Sequence, residues 1–583
     1  MENQYKVVIV GGGVAGLYAA WRLAVDGAAA TGLKPSDVLV LEGSARTSGR
    51  LYTQSLAAFN ATLPTGSGLR AELGGMRFLN YHIYVGYLAK KLGLPYVNFP
   101  ADATNNYHYL RAEAAQSYAG QTRYALAQQE AAQLGTPGEI VANGLIGTVV
   151  QQSWLPTADG SVTLRDLVDN VMKAECGGVP LYEMGFWNLV VTNGQYQANT
   201  PSISNEAYEL FTDAGAYDTI PSNWNASTAV VDMVADFAAK PSYYALTAGY
   251  SSLSEALVNQ LQAAGVKVVT GTPVLGVNKK QAGAGYTIST GPLSFTTADN
   301  VVLALPPRAL QLITPTSLPL QNIKNQLQQS SPIPLFKIFL VYKNPGTTPW
   351  WNTTLGADWQ QFTRMTTDLT MRQIYNFGTY TMGSGSSAVT YTLVQASYSD
   401  ALKAGYWAGL LSAEERQAID TDIFADLSPA SNAERQGTGT VQWNDGSDVS
   451  QHPLFQRVHE QFMTMLDAIA TAQGLPAPTG VAPMAGAAID WATDPYGGGV
   501  NFWNVGVDLS TAYNATLNPV AMTGQGQGTT GTDGLFIVGE GYSLMQGWVE
   551  GALWAVEDAM KIAYPGWSTP TWLSNAPIPM PPS

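Results

Sequence analysis

The sequence predicts an α/β fold, α+β taken as a whole, built on a Rossmann-like domain that other structure interrupts. Three observations predict it. An apolar strand runs straight into a glycine turn and a helix at the start of the chain; buried strands return after a long helical stretch; and a last buried strand lies near the C-terminus. At 583 residues the chain is longer than one hydrophobic core usually serves, so more than one domain is expected.

The opening strand is the β-branched run Val7 to Val10. Gly11-Gly12-Gly13-Val14-Ala15-Gly16 follows, then helical residues Leu17 to Val25. In G-x-G-x-x-G at this place Gly11 permits the turn. Gly13 lets backbone N–H groups approach a pyrophosphate, and Gly16 allows close helix packing. A second apolar strand, Val38-Leu39-Val40-Leu41, ends on Glu42, which is suited to hydrogen-bond ribose hydroxyls. The loop Asp26 to Asp37 accounts for its greater distance from the glycines. A merely structural glycine turn and a solvated Glu42 are the alternatives.

Segments of helical length and spacing then run from Leu164 to Ala174, Ile203 to Ala214 and Ser227 to Ala238. Strands return at Val266 to Val269 and at Asn300 to Leu305, which Pro306-Pro307 closes. Leu335 to Tyr342 and Ala388 to Ala396 read as strands, Leu454 to Ala472 as a helix. Gly534 to Glu540 gives one more buried strand, leading through Gly547-Trp548 into a helix up to about Ile562. The expected organisation is a discontinuous dinucleotide-binding domain (1–80, 245–330, 486–565), a mixed-sheet substrate-binding domain (81–112, 331–485), a helical domain (113–244) and a Pro-rich tail (566–583) extended on the surface.

Composition narrows the partners. A net charge of -15 argues against nucleic acid and anionic lipid. Cys176 is the one cysteine, so no intrachain disulfide or cysteine metal cluster is expected. His82, His108, His452 and His459 lack metal-ligand spacing, and no metal is expected. No run long enough to cross a membrane and no leader is visible, which reads as cytoplasmic with secretion by another route left open. A homodimer is also left open.

Two motifs at opposite ends of the chain carry a family resemblance. Glu42-Gly43-Ser44-Ala45-Arg46-Thr47-Ser48-Gly49-Arg50 resembles the block by which flavin amine oxidases set an arginine and a glycine beside the FAD pyrophosphate. Phe536 to Gly541 with Gly547-Trp548-Val549-Glu550-Gly551-Ala552 resembles the closing motif of the same superfamily. Glu72-Leu73-Gly74-Gly75-Met76-Arg77, and Lys337 to Leu340 followed by Thr366 to Leu369, are most similar to bacterial-type L-amino acid oxidases. The resemblance implies FAD held by Gly11, Gly13, Val14, Ala15, Gly16, Glu42, Gly43, Ser44, Arg46, Gly49, Arg50, Gly74, Gly75, Met76, Arg77, Val274, Gly539, Glu540, Gly547, Trp548 and Val549. Val500 stands beyond Tyr496-Gly497-Gly498, where some members carry a cysteine tether, so noncovalent FAD is expected.

It further implies oxidation of an L-amino acid by dioxygen to a 2-oxo acid, ammonia and hydrogen peroxide, with hydride passing from the α-carbon to flavin N5. Lys337, in an apolar strand, is costly to bury unless something binds it. The family's equivalent lysine holds a water against N5; a lysine snorkelling to solvent is the alternative. Trp548 would be an aromatic wall of the substrate cavity, or a core tryptophan, and the Gly547 carbonyl would accept from the substrate amine. Arg77, among small and apolar neighbours, would grip the substrate carboxylate through its two-donor fork, or pair with Glu72. Tyr375 is a second carboxylate candidate. No histidine aligns with the family's mobile one, and no general base is assigned. A monoamine or polyamine oxidase, an amino acid 2-monooxygenase and a non-catalytic escort-type carrier on the same fold are the alternatives.

Overall fold

The computed structural model describes residues 4–59, 63, 66–99, 106–116, 120–126, 144–191, 203–215, 224–239, 241–281, 283–291, 293–352, 362–411, 440–442, 452–478, 481–492, 498–519 and 534–581. The fold is mixed α/β, as expected. A seven-stranded sheet runs Lys267–Val269, Val38–Leu41, Gln4–Val10, Ser294–Leu303, Tyr286–Gly291, Gly276–Lys279, with Leu535–Ile537 also paired to Ser294–Leu303. Ser294–Leu303 serves two arrangements. Its C-terminal half pairs parallel with Gln4–Val10 and Leu535–Ile537, while its N-terminal half pairs antiparallel with Tyr286–Gly291. Val7–Val10 and Val38–Leu41 are buried along their length, which is why they read as unbroken apolar runs.

Register decides where a ligand sits. Val10 lies opposite Leu41 on one side and Leu303 on the other, so three strands end level at Gly11, Glu42 and Ala304. A crevice beyond the carboxyl ends of parallel strands is the usual binding place in such sheets. The helix after the glycines, Val14–Trp21, continues through a wider turn, Arg22–Asp26, and packs against Ser251–Ala264 and Val549–Ala563.

The second sheet has eight strands in the order Thr440–Gln442, Ala485–Asp490, Leu335–Asn344, Val389–Asp400, Gln373–Met382, Arg364–Thr367, His108–Leu110, Glu113–Ala115. One face carries Ile338, Leu340, Ile374, Val394 and Ala396 and packs on the helix Pro453–Ala472. The other carries Phe339, Val341 and Leu393 against Leu56, Leu63, Ala71 and Leu73. Ala485–Asp490 belongs to this sheet, so the sequence boundary at 486 falls inside one of its strands. A small sheet ties Phe78–Leu79 and Tyr96–Asn98 to Tyr243–Leu246.

Within the expected helical stretch lie Leu164–Val171, Asn205–Gly215 and Ala226–Met233, the last continued by Val234–Ala238. Thr163 and Asp166 close a capping box at the first. The C-terminal tail, expected extended on the surface, is anchored to the body at a few points. Ile578 is 2% exposed and sits where a Cβ on Gly86 would come within 2.3 Å of it. Its N–H donates to the Asn80 carbonyl at 2.7 Å, and Trp567 donates to Glu557 at 2.8 Å. Proline removes N–H donors, so such a segment can lie in a groove with few polar groups left to satisfy.

Candidate active site

The three glycines are required for three different reasons. Gly11 has φ +108°, and a Cβ there would lie 2.4 Å from the Ala304 carbonyl oxygen. A Cβ on Gly16 would fall 1.9 Å from the Gly11 oxygen, so helix and strand could not meet. A Cβ on Gly13 meets only the Gly49 Cα, at 3.9 Å, and otherwise projects into open space. That space is a cavity of about 300 Å³ at the strand ends. Gly13 caps Val14–Trp21 without a side-chain hydrogen bond, which leaves helix N–H groups free to meet an anion.

Gly11, Gly13, Val14, Ala15, Glu42, Gly43, Ser44, Arg46, Gly49, Arg50, Gly74, Gly75, Val274, Lys337, Gly539, Glu540, Gly547, Trp548 and Val549 all line this cavity. Glu42 accepts from the Gly12 N–H at 2.6 Å and from the Ser44 N–H and Oγ at 2.8 Å each. A carboxylate offers about four acceptor sites, so one remains for a hydroxyl. Arg46 lies over the Tyr52 ring at 4.4 Å; its Nε is buried without a partner, and burial lowers its pKa. Arg50 reaches across to Glu540 at 2.5 Å and to the Gly499 carbonyl at 3.0 Å. Glu540 also accepts from Asn501 and from the Gly547 N–H, so the two terminal motifs meet on one carboxylate.

These residues fit FAD. An orphaned guanidinium nitrogen, an uncapped helix N-terminus and a glycine whose Cβ would fill the cavity are complementary to a dinucleotide's pyrophosphate. Val500 lines the cavity, and no cysteine is among the lining residues; Tyr496 and Gly497 lie outside the described residues.

Lys337 is 3% exposed, so it does not snorkel to solvent. Its Nζ donates to the Glu72 carbonyl at 3.0 Å and the Gly74 carbonyl at 2.5 Å, and sits 4.7 Å from the Tyr398 ring centroid. Burial brings its pKa down to about 7, against the Glu72 charge and with the help of Arg77. Burial likewise lifts Glu72 to about 7, although Thr53 and the Tyr250 N–H donate to it. The loop from Glu72 to Arg77 therefore positions Lys337 at one end and Arg77 at the other.

Gly16, Met76, Arg77 and Tyr375 do not line the cavity. Gly16 acts in packing, and Met76 is buried. Arg77 and Tyr375 meet each other: Arg77 Nη1 donates to the Tyr375 hydroxyl at 3.1 Å, and that hydroxyl donates to Gln373 at 2.7 Å. The guanidinium carbon lies 4.8 Å from the Tyr243 ring and 5.6 Å from Phe99. Arg77 is 8% exposed.

Trp548 is half-buried, its ring edge-on to His82 at 4.7 Å, and it hydrogen-bonds Asp232. His82 is wholly buried, with Nδ1 accepting from the Leu79 N–H and Nε2 unpartnered, and burial holds its pKa down at about 3. Burial, then Asp236, raises Asp232 well above the carboxylate range. Sequence reading missed His82, Asp232 and Tyr398. Only Tyr398 had a signal, the alternation of its strand, and that needs the pairing with Lys337 to be meaningful. No group of His, Cys, Asp or Glu suited to hold a metal is found among the described residues, nor is any helix long and apolar enough to cross a membrane.

Comparison with known proteins agrees with this geometry. A redesigned putrescine oxidase, a triple mutant, superposes with a TM-score of 0.56 at 18% identity over 96% of this chain and 98% of that one. Cyclohexylamine oxidase from Brevibacterium oxydans does so with 0.56 at 15%, over 96% and 98%. No curated protein is significantly similar in sequence. The family model for flavin-containing amine oxidoreductases matches residues 14–151 and 192–467, more than half of the chain. The chain belongs to the flavin-containing amine oxidoreductase family.

Proposed function

We propose that this enzyme oxidises an L-amino acid, with dioxygen and water, to the 2-oxo acid, ammonia and hydrogen peroxide. Amine oxidation with FAD is the family's chemistry. The amino acid substrate rests on one observation, the contact of Arg77 with Tyr375 in a buried aromatic surround, one short loop from Lys337. A guanidinium there presents the planar fork that a carboxylate matches. FAD, held by the strand-end glycines, Glu42, Arg46, Arg50 and the turn at Gly539 and Gly547, supplies a two-electron acceptor that dioxygen reoxidises.

The chain's own groups do the rest. Arg77 and Tyr375 orient the substrate by its carboxylate, and Trp548 walls the cavity and excludes water. Lys337, with two donors on carbonyls, keeps one ammonium N–H for a water at the cavity wall. Its pKa near 7 lets it hold or release that proton at neutral pH.

A monoamine or polyamine oxidase is the second reading, favoured by the names of the two structural neighbours. Peroxide release measured across the L-amino acids and their decarboxylated amines separates the two. Turnover of at least one L-amino acid well above its amine is expected; turnover of amines alone would sink the amino acid reading.

A further inference from the structure

Tyr398 stands directly opposite Lys337 on the neighbouring strand, and an irregularity in the pairing puts it there. From Asn344 to Phe339 the register with Val389–Asp400 keeps step, and Phe339 opposes Gln395. One extra residue then enters, so that Ile338 opposes Ser397 and Lys337 opposes Tyr398. Without it, Tyr398 would oppose Phe336, which packs with Ile338 and Leu340 on the helix-covered face. A bulge re-aims the side chains beyond it, and this one turns Tyr398 to the side of the sheet that carries Lys337. The residues from Thr390 to Ser397 are buried, whereas Tyr398 is half-buried and lines the cavity at the strand ends together with Lys337.

Lys337 Nζ gives two N–H groups to the Glu72 and Gly74 carbonyls and lies 4.7 Å from the centre of the Tyr398 ring. Ile489, opposite Lys337 on the other neighbouring strand, is apolar, and among the described residues no carboxylate oxygen is in ion-pair contact with the ammonium. The charged and titratable groups around it are Glu72 and Arg77 on the loop, Tyr398 on one strand and Asp490 at the end of the other. A ring face attracts a cation through its quadrupole, more strongly where water is excluded, and takes up no particular N–H. The third ammonium N–H thus stays available to the cavity. We propose that Tyr398 is a positioning residue for Lys337, whose ring face keeps the ammonium charged and seated at the cavity wall. This goes beyond the substrate reading above and holds whichever amine is oxidised.

The test is the titration of Lys337 itself in the holoenzyme, followed by NMR with ¹³C-labelled lysine, its signal being the one missing from Lys337→Met. In the wild type the midpoint is expected at about 7. Tyr398→Leu removes the ring, and there the midpoint should fall by about one pH unit. Tyr398→Phe keeps the ring and should keep the midpoint. If the Leu variant does not fold, phenylalanines carrying more and more ring fluorines at position 398 preserve the ring's shape while draining its face of negative charge. The midpoint should then fall stepwise along the series, a change that a ring serving only to fill space would not produce. A midpoint that stays put in Tyr398→Leu or along the fluorinated series would overturn the proposal, and so would an equal fall in Tyr398→Leu and Tyr398→Phe.

Discussion

At the scale of single residues, Gly11 and Gly16 are fixed by contacts within the protein, whereas Gly13 faces the cavity. A Cβ on Gly16 strikes backbone at 1.9 Å, whereas one on Gly13 has open space on every side but Gly49. Gly13→Val is therefore expected to give a folded, colourless protein, with flavin absorbance absent and the circular dichroism of the wild type. Normal flavin content in that variant would contradict the placement of the pyrophosphate. These glycines were legible in the sequence because strand, turn and helix are contiguous there. The burial of Arg77 was legible through its small and apolar neighbours. Tyr398, His82 and Asp232 were not, because each is made unusual by groups far away in the chain: Lys337 for the first, Trp548 for the other two.

At the scale of elements, one buried carboxyl group at the start of one helix caps the start of another. Glu550, in the first turn of Val549–Ala563, accepts from the Tyr84 and Val85 N–H groups in the first turn of Ile83–Lys91, and from Trp554. Those donors satisfy ends that otherwise lack partners. Burial nonetheless raises Glu550 to about 8, from an ordinary 4.5, so between those values the folded protein binds the proton that the unfolded chain has released. Its contribution is then full below about 4.5 and is lost as pH rises through about 8. Relative to Glu550→Gln, which does not titrate, the wild type should lose stability over that window at up to about 1.4 kcal/mol per pH unit. Thermal melts of both proteins across the window measure the difference; a flat or rising difference would contradict the buried, proton-holding site. Helix positions were readable from periodicity, as at Ala226–Met233. The docking of the tail was not, since Ile578 finds its groove only once Gly86 and Asn80 are placed.

At the scale of the whole molecule, two sheets divide the work. The first brings the ends of parallel strands to one cavity, and the second turns Lys337, Tyr375 and Gln395 away from its helix-covered face. The centre of the first sheet could be anticipated because Val7–Val10, Val38–Leu41 and Leu535–Ile537 are buried and announce themselves as apolar runs. The second mixes strands from distant segments, including Ala485–Asp490, and their pairing follows from tertiary packing rather than local pattern. What joins the sheets chemically is the loop from Glu72 to Arg77, with Lys337 on its carbonyls and the guanidinium at its end. The most direct measurement is kcat/KM of Arg77→Ala on a reactive L-amino acid and on the matching amine without its carboxylate. The expected result is a loss of about 2–5 kcal/mol in transition-state binding for the amino acid, partly restored in Arg77→Lys, with little change for the amine. An equal loss on both substrates would show that Arg77 supports the pocket without reading a carboxylate, and would contradict the assignment of an L-amino acid as substrate.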